Sequence, residues 1–340
     1  MTARLATISL VIAVALTILP GRPAAVMDVW DGVDRSGGNG AFGVIDSRGF
    51  SRAAGQAIPF RGGVDLVHLG VTVTDRKANL VAELSPEDFE VYEDGKPQTV
   101  RYFAAGDAPD DGTEMHLGLL IDVSESMGED MRFTKTAAIK FLNTLVNAVD
   151  VTVVDFDSEV RVARYSQAEF ARVIERIRQK KAGGSTALYD AVGVYLDGAA
   201  GQRGRKIMLL YTDGGDTHSS LSFSDLIELL KASDVTVYAI GELEHASGAG
   251  RNEARRILTS MAETTGGQSF FPTSVKELDA MYEKVLAEIR AQYTIGYLST
   301  NEQADGAWRK VEVKIAAKNA RARDLRVRSR RGYYGPYKKP

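Results

Sequence analysis

Residues 115–126 read Met-His-Leu-Gly-Leu-Leu-Ile-Asp-Val-Ser-Glu-Ser, and they decide how the rest of the chain is read. The apolar run Leu-Gly-Leu-Leu-Ile is too continuous for a half-exposed strand and fits a central strand of a parallel sheet, buried on both faces. It stops at Asp122-Val-Ser124-Glu-Ser126, a DxSxS pattern. The carboxyl end of a buried strand is where open α/β sheets place their ligand crevices.

Outward from this strand the pattern alternates. Strands are expected over 151–156, 160–165, 206–212, 235–240 and 268–271. Helices are expected over 133–146, 168–177, 187–196, 222–232, 253–263 and 275–290. Such alternation predicts a doubly wound, mostly parallel α/β sheet covered on both faces, here spanning 115–291. Two more loops then fall at the same sheet edge as Asp122. Gly183-Gly184-Ser185-Thr186 opens a helix, and Asp213-Gly214 ends the apolar strand Lys-Ile-Met-Leu-Leu-Tyr-Thr. Together the loops gather the carboxylates of Asp122 and Asp213 with the hydroxyls of Ser124, Ser126 and Thr186. This all-oxygen set suits a hard divalent cation, Mg²⁺ first, with Mn²⁺ or Ca²⁺ also compatible. The plainer reading is helix capping by Asp122, Ser124, Ser126 and Thr186, and a simple turn at Asp213. Asp157 and Asp216 lie near the same edge and read as turn or surface residues, and Glu125 as a solvated rim charge.

The flanks are β-rich. Residues 64–74 read as a strand, 85–88 as a helical turn, and 89–93 with 99–103 as a hairpin around Asp94-Gly95. Strands return at 293–298, 308–316 and 325–328. Neither segment, 61–110 or 292–336, is large enough to bury a core by itself. The expectation is one small sandwich-like domain made from both, with the α/β unit inserted. Arg321, Arg323, Arg326, Arg328, Arg330 and Arg331 fit the charged exposed face of an edge strand, which discourages pairing between molecules.

Residues 5–19 run apolar after a short start with one positive charge, and Pro20-Gly21 ends the run. That length suits a secretory signal and falls short of a bilayer span. Residues 1–25 are therefore read as a signal peptide and 26–60 as a Gly-rich linker. The protein is placed outside the cytoplasm, periplasmic or secreted, with an uncleaved N-terminal anchor as the alternative. No later stretch is a transmembrane candidate.

Composition narrows the chemistry. The 340 residues contain no cysteine, which excludes disulfides, thiolate metal sites and cysteine nucleophiles. Net charge is -3, against the basic excess that a dedicated nucleic-acid binder needs. His68, His116, His218 and His245 have no metal-ligand spacing, and no GxSxG, GxGxxG or phosphate-loop motif occurs. The chain is not read as an enzyme.

With the three loops in hand, residues 115–291 resemble the von Willebrand factor type A family and its metal-ion-dependent adhesion site. The flanks extend the resemblance to bacterial exported "VWFA-related" proteins. Residues 88–98, Asp-Phe-Glu-Val-Tyr-Glu-Asp-Gly-Lys-Pro-Gln, match DFxVxEDGxPQ, and Arg330-Arg331-Gly332-Tyr333-Tyr334 matches RxGYY. The resemblance implies that Ser124, Ser126 and Thr186 hold a cation through their hydroxyls, while Asp122 and Asp213 act mostly through water. Neutral ligands leave such a cation under-neutralised, so it attracts a partner's carboxylate. Ser185 precedes Thr186 where the family commonly has glycine. The implied function is an exported adhesion module whose Mg²⁺ captures an Asp or Glu of a protein partner. Two other readings stay open: an accessory subunit working with an AAA+ ATPase, and a metal-dependent hydrolase, for which no general base is evident. In related domains the last helix moves with site occupancy. Met281 and Leu286 mark its expected buried face.

Overall fold

The structure is a computed structural model and describes residues 43–46, 66–106, 114–144, 148–243, 248–319 and 321–337. The signal peptide expected over 1–25 lies outside the described residues. So does the Gly-rich stretch 26–60, apart from 43–46, which form the strand β1 (Gly43–Asp46).

The α/β unit is built on a seven-stranded sheet. Its strands are β6 (Met115–Asp122), β7 (Asp150–Phe156), β8 (Glu159–Ser166), β9 (Arg205–Thr212), β10 (Val235–Gly241) and β11 (Gln268–Phe270), with β1. The spatial order is β1-β8-β7-β6-β9-β10-β11. Strands β7, β6, β9, β10 and β11 run parallel, while β8 and β1 are antiparallel to their neighbours. Helices α1 (Met131–Thr144), α2 (Phe170–Gln179), α3 (Leu188–Ala199), α4 (Phe223–Ala232), α5 (Gly248–Thr264) and α6 (Val275–Ala291) cover the sheet. Strand β6 is central and buried at every position. Its alternate side chains feed two cores, as the period of two in a strand requires. Leu117, Leu119 and Ile121 pack with Phe141 of α1 and Tyr282 and Leu286 of α6. Leu120 packs on the other face with Ala191, Val194 and Tyr195 of α3. Gly118 sits under α3 so closely that a Cβ there would lie 2.2 Å from the Tyr195 ring.

The flanking segments form two four-stranded antiparallel sheets, as expected of a sandwich. One has the order β14-β2-β12-β5, from β2 (Val67–Thr74), β5 (Val100–Ala105), β12 (Tyr293–Tyr297) and β14 (Arg326–Arg328). The other has the order β15-β13-β3-β4, from β3 (Phe89–Glu93), β4 (Lys96–Gln98), β13 (Trp308–Ile315) and β15 (Gly332–Tyr334). Strands from both flanks occur in each sheet, alternating in the first and meeting at the β13–β3 pair in the second, so the segments complete one another. Leu69, Val71, Tyr293 and Ile295 of one sheet share a core with Phe89, Val91, Val311 and Val313 of the other.

The hairpin differs from expectation in its second arm. Asp94 and Gly95 both have positive φ, the geometry of a tight primed turn. The returning chain pairs with β3 only over Lys96–Gln98 and then crosses to the other sheet as β5. Gln98 fixes the crossing, donating to the Thr300 hydroxyl at 2.9 Å and accepting from the Thr300 amide at 3.0 Å. Strand β14 is an edge strand, as the arginine pattern suggests, and Arg326 is exposed. Arg328 and Arg330 are not simply solvated, however. Arg328 pairs with Glu288 of α6 and donates to the carbonyl of Gly266, and Arg330 donates to the carbonyl of Lys231. They strap the sandwich to the α/β unit.

The chain leaves the sandwich along β5 and returns along β12, and these strands are hydrogen-bonded neighbours with Tyr293 opposite Ala105. At the junction the Gly106 amide donates to the Gln292 carbonyl at 3.1 Å. Arg205, at the start of β9, closes it by donating to the carbonyls of Gly106 and Ile289 and to the Gln292 side chain.

Candidate metal centre

Asp122 is the last residue of β6 and is fully buried. Its Oδ1 accepts the Ser124 amide at 2.9 Å and its Oδ2 accepts the Thr212 hydroxyl at 2.6 Å. Ser124 stands at the N-cap of a 3₁₀ turn, Glu125–Met127, yet its side chain caps nothing. Its Oγ lies 3.2 Å from that of Ser126. Capping therefore does not account for the serine pair.

The second loop is stitched to the first, the Glu125 amide donating to the Gly184 carbonyl at 3.0 Å and the Gly183 amide to that of Val123 at 2.8 Å. Gly184 has a φ of +82°, which side chains tolerate poorly. Thr186 is buried at the entry to α3, where capping was the plain alternative. The structure gives that task to other residues. Asp216 Oδ1 accepts the Tyr189 amide at 3.1 Å, and the Ser219 hydroxyl accepts the Asp190 amide at 3.0 Å. The helix has no side-chain cap at its own N-cap residue. The Thr186 backbone instead ties to the third loop, its amide donating to the Thr217 hydroxyl at 3.0 Å and its carbonyl accepting the amides of Thr217 and His218. Asp216 is thus a turn residue, as read from sequence. Asp157 is held by Arg161 at 2.8 Å.

Asp213 is half-buried after β9, with Oδ1 accepting the Gly215 amide at 2.9 Å. Strand register carries it to the same edge as Asp122. Burial pushes Asp122 up to about 7, and repulsion from Asp213 adds to it, against the hydrogen bonds from Ser124 and Thr212.

A third carboxyl was not expected. Glu242 follows β10 and is buried, its amide donating to the Thr212 carbonyl at 3.0 Å and its Oε1 accepting the Thr134 hydroxyl at 2.9 Å. Burial pushes it up to about 8, with Asp130, Asp122 and Asp213 adding repulsion. Gly241-Glu242 ends a buried strand, but only the pairing of β10 with β9 brings the glutamate to this carboxyl edge. Among the described residues none of Asp122, Asp213 and Glu242 forms an ion pair with a Lys, Arg or His. Nor do three His, Cys, Asp or Glu side chains there form a metal cage by themselves, so a cation would depend on the hydroxyls of Ser124, Ser126 and Thr186. Uncompensated buried acid beside uncommitted hydroxyls is costly without a cation, and hard oxygen donors of this kind fit a divalent one.

The von Willebrand factor type A domain family matches residues 116–284, the stretch that carries all three loops. Residues 116–284 are a von Willebrand factor type A domain. Several solved structures are similar to the chain at low identity. A von Willebrand factor type A protein from Catenulispora acidiphila is 13% identical over 83% of this chain and 76% of that one, with a TM-score of 0.45. The PilB minor pilin from Streptococcus sanguinis is 13% identical over 54% of this chain and 62% of that one, TM-score 0.42. Proximal thread matrix protein 1 from the mussel byssus, described with a zinc-occupied MIDAS motif, is 17% identical over 57% and 48%, TM-score 0.39. This chain thus spans less than two thirds of the pilin and about half of the byssus protein. No curated protein sequence matches it. Among the described residues of this type A protein, no helix is long and apolar enough to cross a membrane.

Proposed function

We propose that this von Willebrand factor type A protein is an exported, non-catalytic adhesion module that captures an Asp or Glu carboxylate of a protein partner at a divalent-cation site. Ser124, Ser126 and Thr186 would hold the cation through their hydroxyls, and Asp122 and Asp213 mostly through water. Mg²⁺ is the expected ion, with Mn²⁺ or Ca²⁺ as substitutes. A cation held largely by neutral oxygens supplies residual positive charge, which an incoming carboxylate neutralises. The chain's own part is to keep that arrangement ready. Thr212 and the Ser124 amide fix both oxygens of Asp122, and the Thr186 carbonyl binds its loop to the one bearing Asp213. The observation that carries this reading is that the Ser124 and Thr186 hydroxyls cap no helix while the acids beside them lack a counter-charge. Export is supported by the apolar pattern of 5–19 and the absence of cysteine.

The test is thermal unfolding of the full chain and of Asp122→Ala in EDTA, Mg²⁺, Mn²⁺ and Ca²⁺, with and without acetate as a carboxylate mimic. A cation bound only by the folded state at a hundredfold excess over its Kd adds about 2.7 kcal/mol. A cation-dependent rise in the midpoint that Asp122→Ala abolishes supports the site. No rise with any cation, acetate included, rejects it. N-terminal sequencing of protein from the extracytoplasmic fraction tests export, and recovery in the cytoplasm alone rejects it.

A further inference from the structure

Beside the metal loops lies an open groove of about 800 Å³ between α1 and the segment that joins α2 to Gly183. Gly128, two residues past Ser126, and Ala182, just before Gly183, both line it, so it borders the first two loops of the candidate site. Its walls carry Arg132 and Lys135 from α1, Arg178 from the last turn of α2, and Lys180 and Lys181 beyond it, with no Asp or Glu in the lining. Met131, Ile139 and Ala182 supply an apolar floor. A chain of net charge -3 does not concentrate cations there by composition.

The cations divide into two groups. Lys135 donates to the carbonyls of Arg178 and Lys180, and Lys180 pairs with the buried Asp155 at 2.6 Å. These two build the wall. The side chains of Arg132, Arg178 and Lys181 are exposed and have no hydrogen-bond or ion-pair partner among the described residues. Burial, together with repulsion from Lys181, holds Lys135 below the usual lysine range. The groove therefore has more positive charge than its own residues balance.

We infer that this groove receives the acidic segment in which the captured carboxylate sits: a peptide whose further Asp or Glu residues meet Arg132, Arg178 and Lys181 while an apolar side chain lies over Met131 and Ile139. The inference rests on carboxylate capture at the neighbouring loops. An apolar floor suits a peptide side chain better than a nucleic-acid backbone. Exposed ion pairs are individually weak and screened by salt, but several acting together set affinity and steer encounter.

The experiment is fluorescence anisotropy on the full chain with fluorescein-labelled octaglutamate, and with a Gly-Ser peptide of the same length bearing one central glutamate. Both are measured in Mg²⁺ and in EDTA. Octaglutamate is expected to bind roughly tenfold tighter than the single-glutamate peptide in Mg²⁺ at low salt. The combined variant Arg132→Glu, Arg178→Glu, Lys181→Glu removes that advantage and leaves the single-glutamate peptide unchanged, while Ser124→Ala removes Mg²⁺-dependent binding of both. All three reversed residues are exposed, and an unaltered melting midpoint verifies folding. Equal affinity for the two peptides, or an advantage that survives the charge reversal, overturns the groove. If neither peptide responds to Mg²⁺, carboxylate capture fails. Octaglutamate binding in EDTA that the charge reversal abolishes would then leave a metal-independent basic groove and overturn its link to the site. Oligodeoxythymidylate binding tighter than octaglutamate, and lost in the charge-reversed variant, overturns the peptide assignment.

Discussion

Tyr333 donates its phenolic proton to Oε2 of Glu93 at 2.8 Å, across 240 residues of sequence. Glu93 closes the strand that follows Asp88-Phe89, and Tyr333 lies in the closing Gly-Tyr-Tyr strand, so two separated sequence patterns meet at one buried carboxylate. Tyr297 donates to the same oxygen at 2.8 Å and Ser299 to Oε1 at 2.6 Å, with buried Arg309 3.6 Å away. The sandwich is locked where its two halves join.

Glu93→Ala removes the acceptor of the Tyr297, Tyr333 and Ser299 hydroxyls and one of the two carboxylates near buried Arg309, the other being Asp305, and should cost about 3 kcal/mol. Tyr333→Phe removes one hydrogen bond and should cost about 1 kcal/mol. Urea denaturation measures both. A Glu93→Ala midpoint equal to wild type would show that the carboxylate does not hold the halves together.

Thr212→Val keeps the shape of the residue and removes the donor to Asp122. Without cation the variant should lose about 1–3 kcal/mol, because a buried acceptor is left unsatisfied. Its Mg²⁺-induced stabilisation should also shrink, since Asp122 is no longer fixed at Oδ2. Calorimetry in EDTA and in Mg²⁺ separates the two effects, and a variant indistinguishable from wild type in both refutes the positioning role.

Burial raises the carboxyls of Asp122 and Glu242 to about 7 and about 8. In the unfolded chain both titrate near pH 4, so between about 4 and 8 the folded state binds more protons than the unfolded one. Stability in EDTA should therefore fall as pH rises through that window and level off above it. Cation binding displaces these protons and should strengthen with pH over the same range. Glu242→Gln keeps an acceptor for Thr134 and should make the decline shallower. Melting midpoints across the window measure it, and equal slopes for variant and wild type would remove Glu242 from the account.

Gly118→Ala forces a methyl group against the Tyr195 ring. Overpacking of this kind costs about 1–3 kcal/mol. Tyr195→Leu in the same chain should restore part of the loss, and failure to do so would place the strain elsewhere.

Much of the fold was legible because its signals are local. The doubly buried run before Asp122 and the helix alternation require a parallel sheet whatever lies far away, and the three loops follow from strand direction. Glu242 escaped notice because one glutamate after a glycine has no distinctive spacing; only the adjacency of β10 and β9 brings it to Asp122. Strand β1 was hidden in a Gly-rich stretch with no period of two, since its pairing is supplied by β8. Arg328 and Arg330 followed an edge-strand rhythm, but their partners Glu288, Gly266 and Lys231 are remote in sequence. The crossing of β5 between sheets was missed for the same reason, because a turn signal fixes a hairpin's start and not the length of its second arm.

The paired exit and return through β5 and β12 has a mechanical meaning. A partner held at the loops around Asp122 would not tug on a single flexible tether. Load enters the sandwich through two neighbouring strands at the same end, and β12 is laddered to β2 from Tyr293 opposite Val71 to Tyr297 opposite Val67. Tension along these strands engages the ladder's hydrogen bonds together, whereas peeling would break them one after another. The Arg205 clamp sits where the pull is concentrated. If the proposed capture holds, a head mounted in this way would resist extraction under tension.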